Sequence, residues 1–366
     1  MNYKNSILVF LFVSASASAQ STVTLYGVVD DGLVWSSNQH GSSALQLEAG
    51  ISKGDRWGLL GNEDLGGGLS SLFRIEFDFN GNSGSLSPGR TYVGLASRDY
   101  GTVTLGRQGE TIGDYIGPFS ANGTLPGGIL FPHPGDMDNN GVDFHVNNAL
   151  KYETPTFGGL TGVAMYSFGG VAGNVATDSA KSFALQYAAG NVQLAGAYTD
   201  IDHPAVAVPQ GVWTPSNTVD GNYGIAAGDY KVFGLAGAYS FGSARISMDW
   251  THTIFADLDP ALGARISGHV NFDIAEVVVS YFLTPALQLG AAYSYTLGHV
   301  SATGQKPHYN ELDASVDYFL SKQTDVYVTG TYMRAGGGVT ADLAPVLAAS
   351  SNSNQVAMQI GLRKRF

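Results

Sequence analysis

The sequence predicts an all-β protein, a 16-stranded antiparallel β-barrel that crosses a membrane, and three observations support this prediction. Residues 355–366 alternate between apolar and polar side chains, so one face of this segment suits lipid and the other suits water. Strand-like segments recur along the chain, and the connections between them alternate between short and long. Charged residues make up only 13% of the chain, against about 25% in soluble domains, while Gly, Tyr and Phe are plentiful.

Sixteen strand-like segments are rich in Val, Leu, Tyr, Phe and Thr and are bounded by Gly, Asn, Asp or Pro. They begin near Val23, Ile51, Leu69, Gly89, Thr102, Val146, Thr161, Ala180, Asn191, Lys231, Ala244, His269, Leu287, His308, Asp325 and Gln355. An even number of strands allows both ends of the barrel wall to lie at the same rim.

The connections between these segments fall into two alternating sets. Short turns are expected at residues 63–67, 98–101, 155–159, 241–243, 284–286 and 321–324. Long polar connections are expected at residues 80–88, 110–145, 201–230, 255–268, 298–307 and 335–354. Short periplasmic turns and long external loops are typical of outer-membrane barrels, whereas a soluble sandwich has no reason to alternate in this way.

Side-chain parity in residues 73–79 indicates what the barrel contains. Phe and Ile side chains share one face of this segment, and Arg74, Glu76 and Asp78 share the other. Burying the charged face in a packed core would cost several kcal/mol per unpaired charge, whereas a water-filled lumen hydrates all three side chains. Sixteen strands make a barrel wide enough for such a lumen.

The first nineteen residues have the features of a secretory signal peptide, namely Lys4, an apolar core and an A-x-A cleavage site that ends at Ala19. We therefore expect a signal peptide over residues 1–19 and a barrel over residues 20–366. The chain has no Cys, which excludes disulfides and Cys-ligated zinc. Its formal net charge of −12 argues against nucleic-acid binding.

Short motifs along the chain resemble those of the general porins of the β-proteobacterial outer membrane. They are VTLYG at 23–27, GNEDLGGGL at 61–69, YVGL at 92–95, GTVTLGRQ at 101–108, NNALKY at 147–152, LSK at 320–322 and GLRKRF at 361–366. Each motif alone is weak, but their order over nearly the whole chain is specific. The resemblance implies a homotrimer in the Gram-negative outer membrane that lets small hydrophilic solutes and ions diffuse passively. It also implies lipopolysaccharide and the barrel-assembly machinery as partners, with no enzymatic activity and no cofactor or metal.

The resemblance further implies that the long third loop, residues 110–145, folds into the lumen and narrows it. Acidic residues of this loop are then expected at the constriction: Glu110, Asp114, Asp136, Asp138 and Asp143. Basic residues of the wall are expected opposite them: Arg56, Arg74, Arg90 and Lys151. Opposed charges create a transverse field that orients water and disfavours large apolar solutes. In a simpler interpretation, the arginines only pair with nearby carboxylates.

Three residues depart from the expected pattern. His145 stands where the family often carries Arg, and a neutral His weakens the basic wall. Asp31 has the parity of lipid-facing residues, so we expect it at a subunit interface or near a rim. Arg107 has the same parity, so a bulge or a strand end is expected beside it.

The sequence also contains features that bear on other functions. Residues 136–141, DMDNNG, match the first half of an EF-hand loop, but the twelfth position is Asn147 rather than Glu, which favours a solvated acidic loop over a calcium site. No two His residues have helical zinc-site spacing. The alternative to a channel is a structural or adhesive barrel with a plugged lumen, and an outer-membrane hydrolase is a third.

Aromatic residues near the ends of strands are expected to form the girdles that lie at the two membrane surfaces. They include Tyr26, Tyr152, Tyr281 and Phe366.

Overall fold

A single antiparallel sheet that closes on itself forms the wall of the molecule. The structure is a computed structural model that describes residues 21–141, 144–207, 223–262, 266–343 and 347–366. Strands that follow each other in the chain pair, except at one break near residues 50–55, and the last strand pairs with the first over Val28–Ser36. The predicted 16-stranded antiparallel barrel is thereby confirmed, while the predicted signal peptide lies outside the described residues.

The described residues contain seventeen strands. They are β1 (Ser21–Gln39), β2 (Ser42–Ala49), β3 (Arg56–Gly66), β4 (Leu69–Phe79), β5 (Leu86–Ser97), β6 (Gly101–Gln108), β7 (Val146–Glu153), β8 (Leu160–Ser167), β9 (Ala180–Ala189), β10 (Val192–Asp202), β11 (Asp229–Phe241), β12 (Ala244–Leu258), β13 (Gly268–Thr284), β14 (Leu287–Val300), β15 (His308–Ser321), β16 (Thr324–Gly336) and β17 (Asn354–Arg365).

Helical turns lie in the connections. The α-helical ones are α1 (Thr111–Tyr115), α2 (Ala121–Thr124), α3 (Pro204–Ala207) and α4 (Tyr223–Ala226), and the 3-10 turns are Gly117–Phe119, Gly128–Leu130, Pro134–Asp136 and Pro260–Leu262. No helix in the described ranges is long and apolar enough to cross a membrane.

The second strand of the barrel is broken, which explains why seventeen strands fill sixteen positions. β2 and β3 both pair with β1, and the connector between them is residues 50–55. The carboxylate of Asp30 accepts hydrogen bonds from the backbone N–H groups of Ser52 (2.7 Å) and Lys53 (3.2 Å). These two N–H groups therefore do not take part in the hydrogen bonds between strands. The expectation of a strand start near Ile51 was wrong, because Ile51 lies in this connector.

The two faces of the wall differ as the sequence predicts. In β17 the side chains of Gln355, Gln359 and Arg363 are buried, while those of Ile360 and Leu362 are exposed. Exposed apolar side chains continue around the outside of the barrel, for example Leu25, Leu33, Val93, Leu95, Phe183, Leu185, Leu235 and Met248. A wall with an apolar outside and a polar inside suits a bilayer.

Five of the six short turns fall where they were predicted. The turn expected at residues 63–67 lies later, because β3 continues to Gly66, and Gly66–Gly68, all with positive φ, form it. The predicted connection at 255–268 is shorter than expected because β12 continues to Leu258. Parts of the predicted connections at 201–230 and 335–354 lie outside the described residues.

One predicted girdle residue was placed on the wrong face. Tyr26 does not face lipid: its hydroxyl donates to Glu76 Oε2 (2.7 Å) and accepts from Arg74 Nε (2.8 Å). The parity of β1 places Tyr26 on the polar side, and the guanidinium of Arg74 lies 5.5 Å from its ring centre. Tyr152, Tyr281 and Phe366 are exposed, as a girdle requires.

Candidate functional site

Residues 110–145, which we call segment 110–145, connect β6 to β7 and contact many strands of the wall; residues 142–143 lie outside the described part. The backbone N–H of Ala121 donates to Glu276 Oε2 on β13 (2.8 Å). Ser247 on β12 donates to the carbonyl of Phe119 (2.6 Å). Gln359 on β17 donates to the carbonyls of Pro126 and Gly127 at 3.3 and 3.2 Å.

Apolar contacts hold segment 110–145 against the wall at two wall glycines. A Cβ at Gly234 on β11 would lie 2.9 Å from Ile116, and a Cβ at Gly290 on β14 would lie 2.3 Å from Leu125. Ile116 and Leu125 are fully buried. The missing Cβ atoms therefore leave the space that these two side chains fill.

The connector between β2 and β3, residues 50–55, also contacts segment 110–145. Lys53 Nζ donates to the carbonyls of Asn122 (2.5 Å) and Gly123 (3.2 Å). A Cβ at Gly128, whose φ is +47°, would lie 2.1 Å from the carbonyl oxygen of Ile51. The backbones of the two connections are thus in close contact.

Asp114 joins the predicted acidic and basic groups. Its Oδ1 lies 2.6 Å from Arg90 Nη2, and its Oδ2 lies 2.6 Å from Lys151 Nζ. Burial alone would raise the pKa of Asp114, but Arg90 and then Lys151 lower it to about 2. The carboxylate is therefore ionised at neutral pH and fixes two cations beside it.

An opening of about 400 Å³ lies between the wall and segment 110–145. Charged wall and connector side chains line it: Lys53, Arg56, Glu76, Asp78 and Arg90. Gly113, Pro118 and Asn140 are among the residues that segment 110–145 contributes. A second cavity of about 200 Å³ shares Arg90 with the first and is also lined by Asp114, Lys151 and Glu153, among others.

The four predicted basic residues have different partners. Arg56 donates to the carbonyl of Lys53 and lines the opening. Arg74 Nη2 lies 2.5 Å from Glu76 Oε2, so this arginine is paired within its own strand. Arg90 and Lys151 share Asp114, as described above.

Three of the predicted acidic residues are buried among other partners, and none of them is among the residues that line either cavity. Glu110 accepts from the N–H groups of Ile112 (2.6 Å) and Gly113 (2.8 Å) and so caps α1. Asp136 accepts from the N–H of Gly141 (2.7 Å). Asp138 Oδ2 lies 2.7 Å from His133 Nδ1. Asp143 lies outside the described residues.

His145 and Arg107 have the roles that their departures from the pattern suggested. His145 Nε2 accepts from Arg90 Nε (3.3 Å), and burial together with Arg90 and Arg107 lowers the pKa of His145 to about 3. His145 is therefore neutral and adds no charge to the basic side. The ladder between β6 and β7 shifts register between Gly106 and Gln108, which is the bulge expected beside Arg107.

The sequence analysis missed a buried group formed by His133, Asp138, Asp249 and Glu276. His133 Nε2 lies 3.5 Å from Asp249 Oδ1 and 3.8 Å from Glu276 Oε2. Burial alone would lower the pKa of His133, but Asp138, followed by Glu276 and Asp249, raises it well above its usual range. Side-chain parity could have placed Asp249 and Glu276 on the same side of the wall, because both carboxylates lie on the buried face of their strands, β12 and β13.

The wall and its polar interior define the class of protein. A closed antiparallel barrel with an exposed apolar band and buried charged side chains is a transmembrane β-barrel of the outer-membrane type. The family model for Gram-negative porins matches residues 6–338, and the chain belongs to this family. It is an outer-membrane porin, a class of passive channel.

Individual relatives agree with this assignment. The chain is 26% identical to an outer membrane porin protein of Bordetella pertussis, with 96% of each chain covered, and 28% identical to outer membrane porin protein 32 of Delftia acidovorans, with 98% of each covered. Among solved structures, the anion-selective porin from Comamonas acidovorans superposes with a TM-score of 0.76 at 22% identity and covers 95% of this chain and 100% of its own. The trimer form of OmpT from Vibrio cholerae gives a TM-score of 0.68 at 18% identity, with 94% and 99% covered. These structural matches show the shared fold.

Proposed function

We propose that segment 110–145 lies across the lumen and that small hydrophilic solutes and ions diffuse through the opening beside it. The hydrogen bonds from β12, β13 and β17 to this segment support that position, because strands from distant parts of a closed wall converge on one loop. The lining of the opening is charged and polar, which suits solutes that retain their hydration. Diffusion through the opening requires no chemical reaction.

The opening favours small anions over cations. Lys53, Arg56 and Arg90 line it, whereas the carboxylates that line it are those of Glu76 and Asp78. Arg74 pairs with Glu76, and Arg90 shares Asp114 with Lys151, so with these partners included five cations face three carboxylates. This excess of positive over negative side chains is the observation on which the proposal rests, and the description of the Comamonas structure as an anion-selective porin agrees with it.

Replacing both Arg56 and Arg90 with Ser tests the proposal. The measurement is the reversal potential of single channels in a planar bilayer under a salt gradient. Wild-type channels are expected to show anion preference, and the double variant is expected to shift towards cations because two positive charges leave the opening. Arg98→Ser is the matched control, since Arg98 is exposed in the turn after β5.

Two results would count against this function. A reversal potential that is the same in the double variant and the control would remove Arg56 and Arg90 from the conduction path. Correctly folded protein that gives no conductance steps would favour the plugged or adhesive barrel. Stable steps in groups of three would support the homotrimer, which the trimer form of OmpT makes a reasonable expectation.

The route to the membrane completes the proposal. Residues 1–19 act as a cleaved signal peptide, the barrel-assembly machinery inserts the chain, and lipopolysaccharide surrounds its external rim. Determining the N-terminal residue of the protein purified from the outer membrane tests the cleavage, and Gln20 is the expected first residue.

A further inference from the structure

We propose that His133, Asp249 and Glu276 form a binding site for a divalent metal ion of the zinc type, which ties segment 110–145 to strands β12 and β13. His133 lies in segment 110–145, whereas Asp249 and Glu276 lie directly opposite each other on the two strands. One atom from each of the three side chains falls within 4.8 Å of the other two. All three side chains are at most 1% exposed.

The distances fit a shared ion better than direct hydrogen bonds. His133 Nε2 lies 3.5 Å from Asp249 Oδ1 and 3.8 Å from Glu276 Oε2. Hydrogen bonds between nitrogen and oxygen usually span about 2.7–3.2 Å. In a tetrahedral site with metal–ligand bonds of about 2.1 Å, neighbouring ligand atoms are about 3.4 Å apart.

Unsatisfied atoms point to the same place. Within the described residues, His133 Nε2 and Asp249 Oδ2 are buried without a hydrogen-bond partner. A buried donor or acceptor without a partner costs about 1–3 kcal/mol, so two on neighbouring side chains call for a ligand. Asn140 Nδ2 also lies 3.4 Å from Asp249 Oδ1, which places the amide beside the site.

Asp138 prepares His133 for this role. Asp138 Oδ2 lies 2.7 Å from His133 Nδ1 and also accepts from Thr251 Oγ1 (2.6 Å). When the carboxylate holds a proton on Nδ1, the lone pair of Nε2 is directed at Asp249 and Glu276. A carboxylate–histidine pair of this kind commonly orients zinc-binding imidazoles.

The wall around the site carries more carboxyl groups than its one imidazole can pair with. Strand register places Asp249, Glu276 and Glu311 in one row, with Ser294 between the last two, and Asp313 lies two residues beyond Glu311. All four carboxylates are buried. Within the described residues none of them pairs with an Arg or Lys, and like charges directly opposite each other on neighbouring strands are destabilising. A divalent cation would relieve this repulsion.

Metal binding by the purified full-length mature protein in detergent tests the proposal. The protein is freed of metal with a chelator and titrated with Co²⁺, which reports a tetrahedral site of nitrogen and oxygen ligands by its visible absorption. Zn²⁺ should displace Co²⁺ and bleach the absorption, and elemental analysis should give one ion per chain. His133→Gln should weaken binding by more than about 100-fold, and Asp138→Asn by about 10–100-fold.

His203→Gln is the matched control, because His203 belongs to a second three-residue group, with Asp178 and Asp202, that is partly exposed. One ion per chain in this control and in the wild type, with loss in His133→Gln, supports the proposal. Absence of binding by the wild type, retention in His133→Gln or loss in His203→Gln would overturn it. If His133→Gln lowers the yield of heat-modifiable barrel, Glu276→Gln provides the second test of the same ligand set.

Discussion

Replacing Asp114 with Asn should destabilise the protein at neutral pH by an amount that the structure allows us to estimate. The carboxylate is 14% exposed and lies 2.6 Å from both Arg90 and Lys151. Its pKa falls from the usual 3.8 to about 2 in the folded chain. At 1.36 kcal/mol per pKa unit, the ionised form contributes about 2.5 kcal/mol to folding.

The pH dependence of this effect has a definite sign. Because the folded pKa is lowered, the stabilisation is fully present above the unfolded value of 3.8 and disappears as the pH falls to about 2. The difference in unfolding free energy between the wild type and Asp114→Asn should therefore be about 2.5 kcal/mol at pH 7. It should approach zero only below pH 2, where the Asp114 carboxyl is protonated and, like the Asn side chain, uncharged.

Urea unfolding in lipid vesicles, followed by tryptophan fluorescence at several pH values, measures this difference. Asp99→Asn, in the exposed turn between β5 and β6, is the control and should leave the curves unchanged. A pH-independent difference, or none at pH 7, would refute the reasoning. In single-channel recordings Asp114→Asn should also increase anion preference, because Arg90 and Lys151 lose their counter-charge.

Three further changes test the packing and pairing of the wall. Phe366→Ser should lower the amount of folded barrel in the outer membrane, because the ring packs against Gly27 where the wall closes. A normal amount of folded barrel, measured by its heat-dependent migration in gel electrophoresis, would contradict this. Gly234→Leu should displace Ile116 and change the single-channel conductance, whereas an unaltered conductance would show that α1 is not fixed there. Arg363→Leu should cost about 3–5 kcal/mol in urea unfolding, because it leaves the buried carboxylate of Asp317 without a cation, whereas Asp325 keeps Arg365. Lys364→Leu, on the exposed face, is its control and should have little effect.

The architecture of the barrel could be predicted from the sequence because its cause is local. Alternation in residues 355–366 and charge separation in residues 73–79 report which face meets lipid, and each strand carries this signal independently. The break at residues 50–55 could not be predicted, because it depends on the hydrogen bond that the backbone N–H of Ser52 donates to Asp30 on the neighbouring strand β1.

The candidate site was less predictable because its side chains come from distant parts of the chain. Asp114, Arg90 and Lys151 were named from sequence, and the structure brings them together. Glu110 was expected at the constriction because it is acidic, but nothing in its sequence neighbourhood distinguishes a helix cap from a pore-lining group.

Asp249 and Glu276 show a different limit of prediction from the sequence. Each is an acidic residue at a polar-face position of its strand, and only the register between β12 and β13 places them opposite each other. His133 joins them from a segment more than one hundred residues earlier in the chain. Strand parity could have suggested a carboxylate row, but not the imidazole that meets it.

The contact between residues 50–55 and segment 110–145 also bears on how such barrels can be re-engineered. Lys53 binds the carbonyls of Asn122 and Gly123, and Gly128 lies against the backbone of Ile51. A loop transplanted from a relative in place of residues 110–145 would meet a surface shaped for a different backbone. Chimeras that exchange both stretches together preserve this fit, so the two behave as one transferable cassette.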